Sequence, residues 1–274
     1  SLSDTINGVG CVARDTIQVT GTDLLFLSTR GLMSLGRVIQ EKSSPINDVS
    51  KNVRDDVLRY WKQELLPVRS IYNPVDSFYL LSFPTNNLIY CFDTRGLLEN
   101  GAYRVTTWNA VDYACFCVRQ DDSLLIGSKL GINKYAGYYD NGQPYTIRYS
   151  SNPLSFGDFA KIKFAKKITP TLITTGNSEV TVKWSYDVSG DSKSQMFNIS
   201  NLKASYYNQS LFYSTQATTV DYGGFSAGAS QVSIKRINAT GSGNLLTIGL
   251  DSTVNGSSVS IQEFNIQATI GRIY

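Results

Sequence analysis

Short apolar runs, broken every few residues by turn-forming side chains, set the texture of this chain. Asp23-Leu-Leu-Phe-Leu-Ser-Thr-Arg-Gly-Leu-Met-Ser-Leu-Gly36 reads as strand, turn, strand. Leu24 to Leu27 is an apolar run, Thr29-Arg30-Gly31 supplies a three-residue turn, and Leu32 to Leu35 resumes the strand. One hundred residues on, the unit recurs without a gap as Ser123-Leu-Leu-Ile-Gly-Ser-Lys-Leu-Gly-Ile-Asn-Lys-Tyr-Ala136. Leu24/Leu124, Leu25/Leu125, Ser28/Ser128 and Gly31/Gly131 coincide, and Phe26/Ile126 and Leu32/Ile132 are alike. A tight reversal needs a residue at positive φ, which glycine supplies without strain. An internal repeat of short antiparallel strands points to a propeller or another repeated β-unit.

A strand over Thr16 to Thr20 and a turn at Gly21 to Asp23 precede the first copy. Between Ser44-Pro45 and Pro67 the period changes. Val49, Val53, Val57, Tyr60, Trp61 and Leu65 fall three to four apart, with Lys51, Arg54, Asp55, Arg59 and Lys62 between them. This predicts an amphipathic helix over about 47–66, with Asn47 or Ser50 as its cap. Such a helix either packs on the neighbouring sheet or meets an adjacent subunit. A hairpin follows: Asp76 to Phe83, a turn at Pro84-Thr-Asn-Asn87, and Leu88 to Asp93, after which Thr94-Arg95-Gly96 repeats the earlier tripeptide. Tyr103 to Trp108 and Tyr113 to Val118 are further strands, and Gln120-Asp121-Asp122 is a hairpin turn before the second copy. Strands this short and dense amount to two or three propeller blades.

After Gly137-Tyr-Tyr-Asp-Asn-Gly142 the strands lengthen and alternate apolar with polar. They are Tyr145 to Tyr149, Ala160 to Ile168, Glu179 to Tyr186, Ser230 to Ile237, Asn244 to Leu250 and Ser258 to Ala268. Residues 188–229, rich in Tyr, Ser, Asn and Gly, read as long loops or edge strands. The predicted fold is all-β: partial β-propeller blades with an inserted helix over 1–142, then an antiparallel β-sandwich over 143–274.

Composition narrows the function classes. The net charge is +3 and only 17% of the 274 residues are charged, which argues against a dedicated nucleic-acid-binding face. No apolar segment is long enough to span a membrane, and the start Ser-Leu-Ser-Asp4 is not a signal peptide. With no initiator Met, the stretch is expected to be a piece of a longer chain or to have a processed start. Histidine is absent, which removes Ser-His-Asp and Cys-His catalysis and histidine-ligated metals. Cys11, Cys91, Cys115 and Cys117 lack zinc or redox spacing and read as buried free thiols of a protein made in a reducing cytoplasm. Cys115 and Cys117 share one strand face.

Three groups carry candidate chemistry. Lys161, Lys163, Lys166 and Lys167 form the densest basic cluster, with Lys161 and Lys163 on one strand face that either meets phosphate or is simply solvated. Asp55-Asp56 and Asp121-Asp122 are paired acids, but the first pair diverges on a helix and the second sits at a hairpin tip. Asn198, Asn208, Asn238 and Asn255 lie in glycosylation-type sequons, which mean little without a secretory signal. No phosphate loop or dinucleotide fingerprint is present. No catalytic, cofactor-binding or metal-ligating residue is assigned.

Several degenerate motifs then occur in a familiar order. Val12-Ala-Arg14, the Asp23 to Leu35 unit and Pro45-Ile-Asn-Asp-Val-Ser50 come first. Phe78-Tyr-Leu-Leu-Ser-Phe-Pro84, Asn87-Leu-Ile-Tyr-Cys-Phe-Asp93 and Arg104-Val-Thr-Thr-Trp108 follow. Pro144-Tyr145, Ile234-Lys-Arg236, Gly241-Ser-Gly243 and Ile270-Gly-Arg272 close the series. Together they resemble the tail tubular protein B, or tail nozzle, family of short-tailed bacteriophages. That resemblance implies a non-enzymatic virion protein, made in the host bacterial cytoplasm and located in the tail. It would be a homo-oligomer forming a six-fold ring below the portal adaptor, supporting tail fibres or spikes and conducting phage DNA. The chain is shorter than the family's usual members, which implies a missing N-terminal part. The alternative is a carbohydrate-binding or glycoside-cleaving propeller, which needs inward carboxylates at the propeller axis. Residues 188–229 would be the surface of a third, fibre-docking reading.

Overall fold

The computed structural model describes residues 10–21, 23–36, 48–109, 115–129, 131–187, 192–199 and 231–271. The described residues are all-β apart from one α-helix and two short 3-10 turns, and the chain divides into two compact units, 1–136 and 137–274. No sheet closes on itself among them.

The first unit is a succession of antiparallel meanders. Strands β1 (Gln18–Thr20), β2 (Asp23–Ser28) and β3 (Gly31–Ser34) form the first sheet. Strands β4 (Arg69–Asn73), β5 (Phe78–Phe83), β6 (Leu88–Leu97) and β7 (Tyr103–Asn109) form the second. Strands β8 (Cys115–Val118), β9 (Leu124–Ser128) and β10 (Gly131–Lys134) form the third. In each sheet, strands adjacent in sequence are adjacent in space, which short polar turns enforce.

The second sheet is buried on both faces, and period-two alternation divides its side chains between two cores. Every residue of β5 is buried. Tyr79, Leu81 and Phe83, with Tyr90 and Phe92 of β6, pack against Leu25, Leu27 and Leu32 of the first sheet. Phe78, Leu80 and Ile89 point the other way and pack against Leu124 and Ile126 of the third sheet. A fully buried aliphatic side chain contributes about 1.5–3 kcal/mol. These two layers therefore hold the unit together more than the turns do.

Helix α1 (Arg54–Gln63) is shorter than the spacing predicts. Asn47 lies outside the described residues, and Ser50 does not cap the helix. The Ser50 hydroxyl instead accepts from the Leu32 backbone N–H at 2.9 Å and donates to Asp48. The helix buries Val57 in the core shared by the first two sheets, and Tyr60 packs its ring on Phe83 and Tyr90. The chain leaves the helix at Glu64, so Leu65, expected on the apolar face, is 87% exposed.

The repeat has the same register in both copies. Ser28 pairs with Gly31 and Leu27 with Leu32, as Ser128 pairs with Gly131 and Gly127 with Ile132. The loop is thus two residues, not three, and glycine opens the second strand at φ 122° in the first copy and 142° in the second. Thr94-Arg95-Gly96 is not a third such turn. It lies inside β6 where the ladder jumps from Asp93↔Arg104 to Leu97↔Tyr103. Of the predicted strand over Thr16 to Thr20, only Gln18–Thr20 pairs as a strand. Thr16 closes a 3-10 turn instead, its hydroxyl accepting from the Leu27 N–H at 3.0 Å.

In the second unit β11 (Tyr145–Ser150), β12 (Lys163–Thr174), β13 (Ser178–Tyr186), β14 (Lys193–Ile199), β15 (Gln231–Ile234), β16 (Ile237–Asn238), β17 (Leu246–Val254) and β18 (Val259–Ile270) form two sheets. One has the order β11-β17-β13-β14; the other has β12 between β18 and the pair β15 and β16. Val180, Val182 and Trp184 of β13, Leu246, Ile248 and Leu250 of β17, and Ile168 and Leu172 of β12 share one core. Strand β14 is an edge strand within the polar segment 188–229, most of which lies outside the described residues. Pro170 explains why one long strand has two short partners. It offers no N–H, and the chain that follows β12 on that side breaks into β15 and β16 around it, leaving only Lys235 N–H to reach the Pro170 carbonyl.

Candidate assembly surfaces

The paired acids are engaged locally. Asp55 lies 3.4 Å from Arg54 and Asp56 lies 2.8 Å from Arg59, both on the exposed side of α1. Asp121 accepts from the backbone N–H and hydroxyl of Ser123, and the hydroxyl bond foremost holds its carboxyl below the ordinary carboxylate range. Asp122 takes φ 59°, the left-handed residue of the β8–β9 turn. Both pairs have turn and helix-surface roles, and neither converges on a cleft.

The lysine cluster is not one face. Lys161 precedes β12 and pairs with Asp158 at 3.1 Å. Lys163 is fully buried, and its ammonium donates to the Asp158 carbonyl. Lys166 and Lys167 are both exposed because the register slips between Ala165 and Lys167. This bulge lets two successive lysines face outward while Ala165 and Ile168 stay in the core. The expectation that Lys161 and Lys163 share a solvated strand face is therefore corrected.

All four thiols are free, but burial is the exception. Cys11, Cys115 and Cys117 are exposed, whereas Cys91 is half-buried behind the third sheet and burial pushes its thiol up to about 12. Cys115 and Cys117 do share a face, opposite Gly127 and Leu125. The sequon residues Asn198, Asn238 and Asn255 are exposed, and Asn208 lies outside the described residues.

Two depressions are open and lined mostly by polar residue types. One, at the end of β13 and β14, is lined by Asn177, Glu179, Asn198 and Asn255. The other lies over side-chain-free Gly249 on the outer face of its sheet, where Lys183 pairs with Asp251 beside Arg148. Among the described residues no group of three or more Cys, Asp or Glu could hold a metal ion, and no helix is long and apolar enough to cross a membrane.

One buried group is unusual. The Asp48 side chain has no exposed surface, its Oδ1 accepts from the N–H and hydroxyl of Ser50, and Arg54 stands 3.7 Å from its Oδ2. Burial raises its carboxyl above the ordinary range, opposed by the Ser50 hydrogen bonds and Arg54. Beyond the Ser50 and Arg54 side chains its network reaches backbone: Leu32 N–H through Ser50, while Val49 bonds Leu32 O through its N–H and Tyr103 N–H through its carbonyl. It joins the first sheet to the second and serves the scaffold.

Among the described residues, large apolar side chains stand exposed in two places. On the third sheet, the face bearing Cys115, Cys117, Leu125, Ile132 and exposed Lys134 looks away from the second sheet, and Ile132 is 77% exposed. In the second unit Phe156, Phe159, Ile162 and Phe164, close in sequence, are exposed, with Phe159 at 71%, and Ile270 is exposed opposite Lys163. The loop carrying Phe159 is held firmly. Asp158 Oδ1 accepts from Ala160 N–H at 2.8 Å, buried Lys163 ties down the Asp158 carbonyl, and Gly271 N–H bonds Ile162 O at 2.7 Å. Sequence reasoning passed over both, although two phenylalanines bracketing Gly157-Asp158 were a visible signal. No protein-family model matches the chain, and no curated protein matches it either.

Proposed function

We propose that the chain is a structural subunit of a short-tailed bacteriophage tail nozzle or tail tube. It builds part of a six-fold ring that forms the DNA exit channel and supports fibres or spikes. In this reading the first unit is a run of β-propeller blades and the second a β-sandwich. One observation carries it: three consecutive antiparallel meanders stack face to face, with β5 and β6 sending alternate side chains into cores on both sides. Propeller blades pack in that way.

The protein acts through geometry. Stacked sheets give a rigid wall segment, and ring closure multiplies one contact around the axis. Near-neutral charge suits a lumen through which DNA slides, since each lysine or arginine bound to a phosphate would add a salt-dependent grip. Of the paired acids, Asp55, Asp56 and Asp121 are engaged with Arg54, Arg59 and Ser123 rather than converging as a glycoside-cleaving propeller would need. Electron microscopy and mass measurement of the purified full chain test the proposal. A six-fold ring is expected. A stable monomer that binds or cleaves polysaccharide would refute it.

A further inference from the structure

A glycine inside a strand weakens it, and what keeps one there is a bulge or bend, a backbone angle closed to other residues, or the close approach of a ligand or another backbone. Gly249 lies inside β17 and pairs with Ser150 of β11 and Lys183 of β13, in ladders that run without a register shift. Its φ lies outside the left-handed range. A Cβ there would stand 3.4 Å from the Tyr149 carbonyl oxygen and 3.5 Å from Lys183 Cβ, which are ordinary contacts. Neither the backbone nor neighbouring atoms among the described residues account for this glycine. Its effect is the open depression of about 350 Å³ above it, at the small end of the range for ligand sites.

The groups around that depression narrow the ligand. Thr247 and Asp251 flank Gly249 along β17, Ser150 and Lys183 flank it across the ladders, and Arg148 lies at the diagonal. Lys183 donates to Asp251, and among the described residues no ion pair holds Arg148, although it stands directly opposite Asp251. A guanidinium beside a neutralised pair offers a planar fork that fits a carboxylate. Asp251 and the hydroxyls of Ser150 and Thr247 suit the hydroxyls of the same ligand. A bare phosphate would use the cations alone and would meet Asp251 as a like charge.

We infer that this depression binds an acidic saccharide unit, its ring over Gly249, its carboxylate on Arg148 and its hydroxyls on Asp251, Ser150 and Thr247. The site goes beyond the ring-building reading and does not depend on it, since all of these residues belong to one sheet of one chain.

Gly249→Val tests the glycine and Arg148→Gln the charge. Calorimetric titration of the full chain with a short glucuronic acid oligomer measures binding, with the matching glucose oligomer and inorganic phosphate as comparisons. The wild type is expected to bind the acidic oligomer about tenfold or more tightly than either comparison, the worth of one hydrogen bond to a charged group. Arg148→Gln should erase that preference. Gly249→Val should abolish binding while the urea midpoint of the unit that Trp184 reports holds or rises, because a β-branched residue suits an unstrained strand. A fall in that midpoint would mean that the strand itself requires the glycine, and would overturn the inference. So would a wild type that binds no oligomer, binding that survives Gly249→Val, or phosphate or the neutral oligomer bound as tightly as the acidic one. Each of these outcomes leaves the ring-building reading standing.

Discussion

Two glycines one hundred residues apart offer a matched experiment on what holds the first unit together. Gly31 and Gly131 occupy the same register position after the same two-residue loop, and both have φ in the range that L-residues avoid. Replacing either with alanine strains the backbone by about 1–3 kcal/mol. Beyond that the sites differ. A Cβ at Gly131 meets nothing within 4 Å, whereas at Gly31 it would stand 2.6 Å from Ser50 Oγ. That hydroxyl is the acceptor for the buried Leu32 N–H, and moving it leaves the N–H unpaired, at about 1–3 kcal/mol. Gly31→Ala is therefore expected to cost about 2–6 kcal/mol in total, against about 1–3 for Gly131→Ala.

Urea unfolding followed by tryptophan fluorescence measures this. Trp61 and Trp108 report the first unit and Trp184 the second, which matters because two compact units need not unfold together. The Trp184 transition should be unchanged in both variants. A double-mutant cycle with Ser50→Ala isolates the hydroxyl clash: without it the nearest atom to the new Cβ is Arg54 Cγ at 3.2 Å, so most of the excess cost of Gly31→Ala over Gly131→Ala should vanish. Equal losses at the two glycines with Ser50 present would refute the reasoning.

Leu80 and Leu81 are adjacent and fully buried but belong to different cores, and alanine at either should cost about 2–5 kcal/mol. Hydrogen exchange should then rise in β8–β10 for Leu80→Ala and in β1–β3 and α1 for Leu81→Ala; the same pattern in both would exclude separate cores. Asp48 has its folded carboxyl value raised, so the folded state holds its proton more tightly. Its contribution is full below the ordinary carboxylate value and is lost as pH rises through the raised one. Asp48→Asn should flatten that fall in stability on going up from mild acid, as read by thermal melts across pH; an unchanged slope would count against it. Thiol titration of the chain should find Cys11, Cys115 and Cys117 fast and Cys91 slow, its thiol held up near 12 by burial.

What the sequence disclosed and what it hid follow from the same rule of period. The hairpin over Asp76 to Asp93 was legible because both strands are apolar and the turn is spelled out by Pro84 and by Asn87 at φ 49°. The β5 run could not reveal two cores, since a continuous apolar strand carries no alternation to read. Strand β4 escaped notice because Arg69-Ser-Ile-Tyr-Asn73 mixes half-buried and buried polar residues. The lysine cluster misled for a related reason. A two-residue period put Lys161 and Lys163 on one outer face, but the bulge after Ala165 shifts the phase, and Lys163 is buried because its ammonium reaches the Asp158 carbonyl. Backbone partners of this kind leave no mark on the hydrophobic pattern.

The repeat shows how far such a pattern reaches. Four identities located a hairpin and its glycine, and the register then assigned each position to a face. Leu27 of the first copy became Gly127 in the second, where the Cys115 sulfur lies over the backbone in place of a larger side chain. Two aligned hairpins with opposite faces buried against the same intervening sheet give the stack a direction.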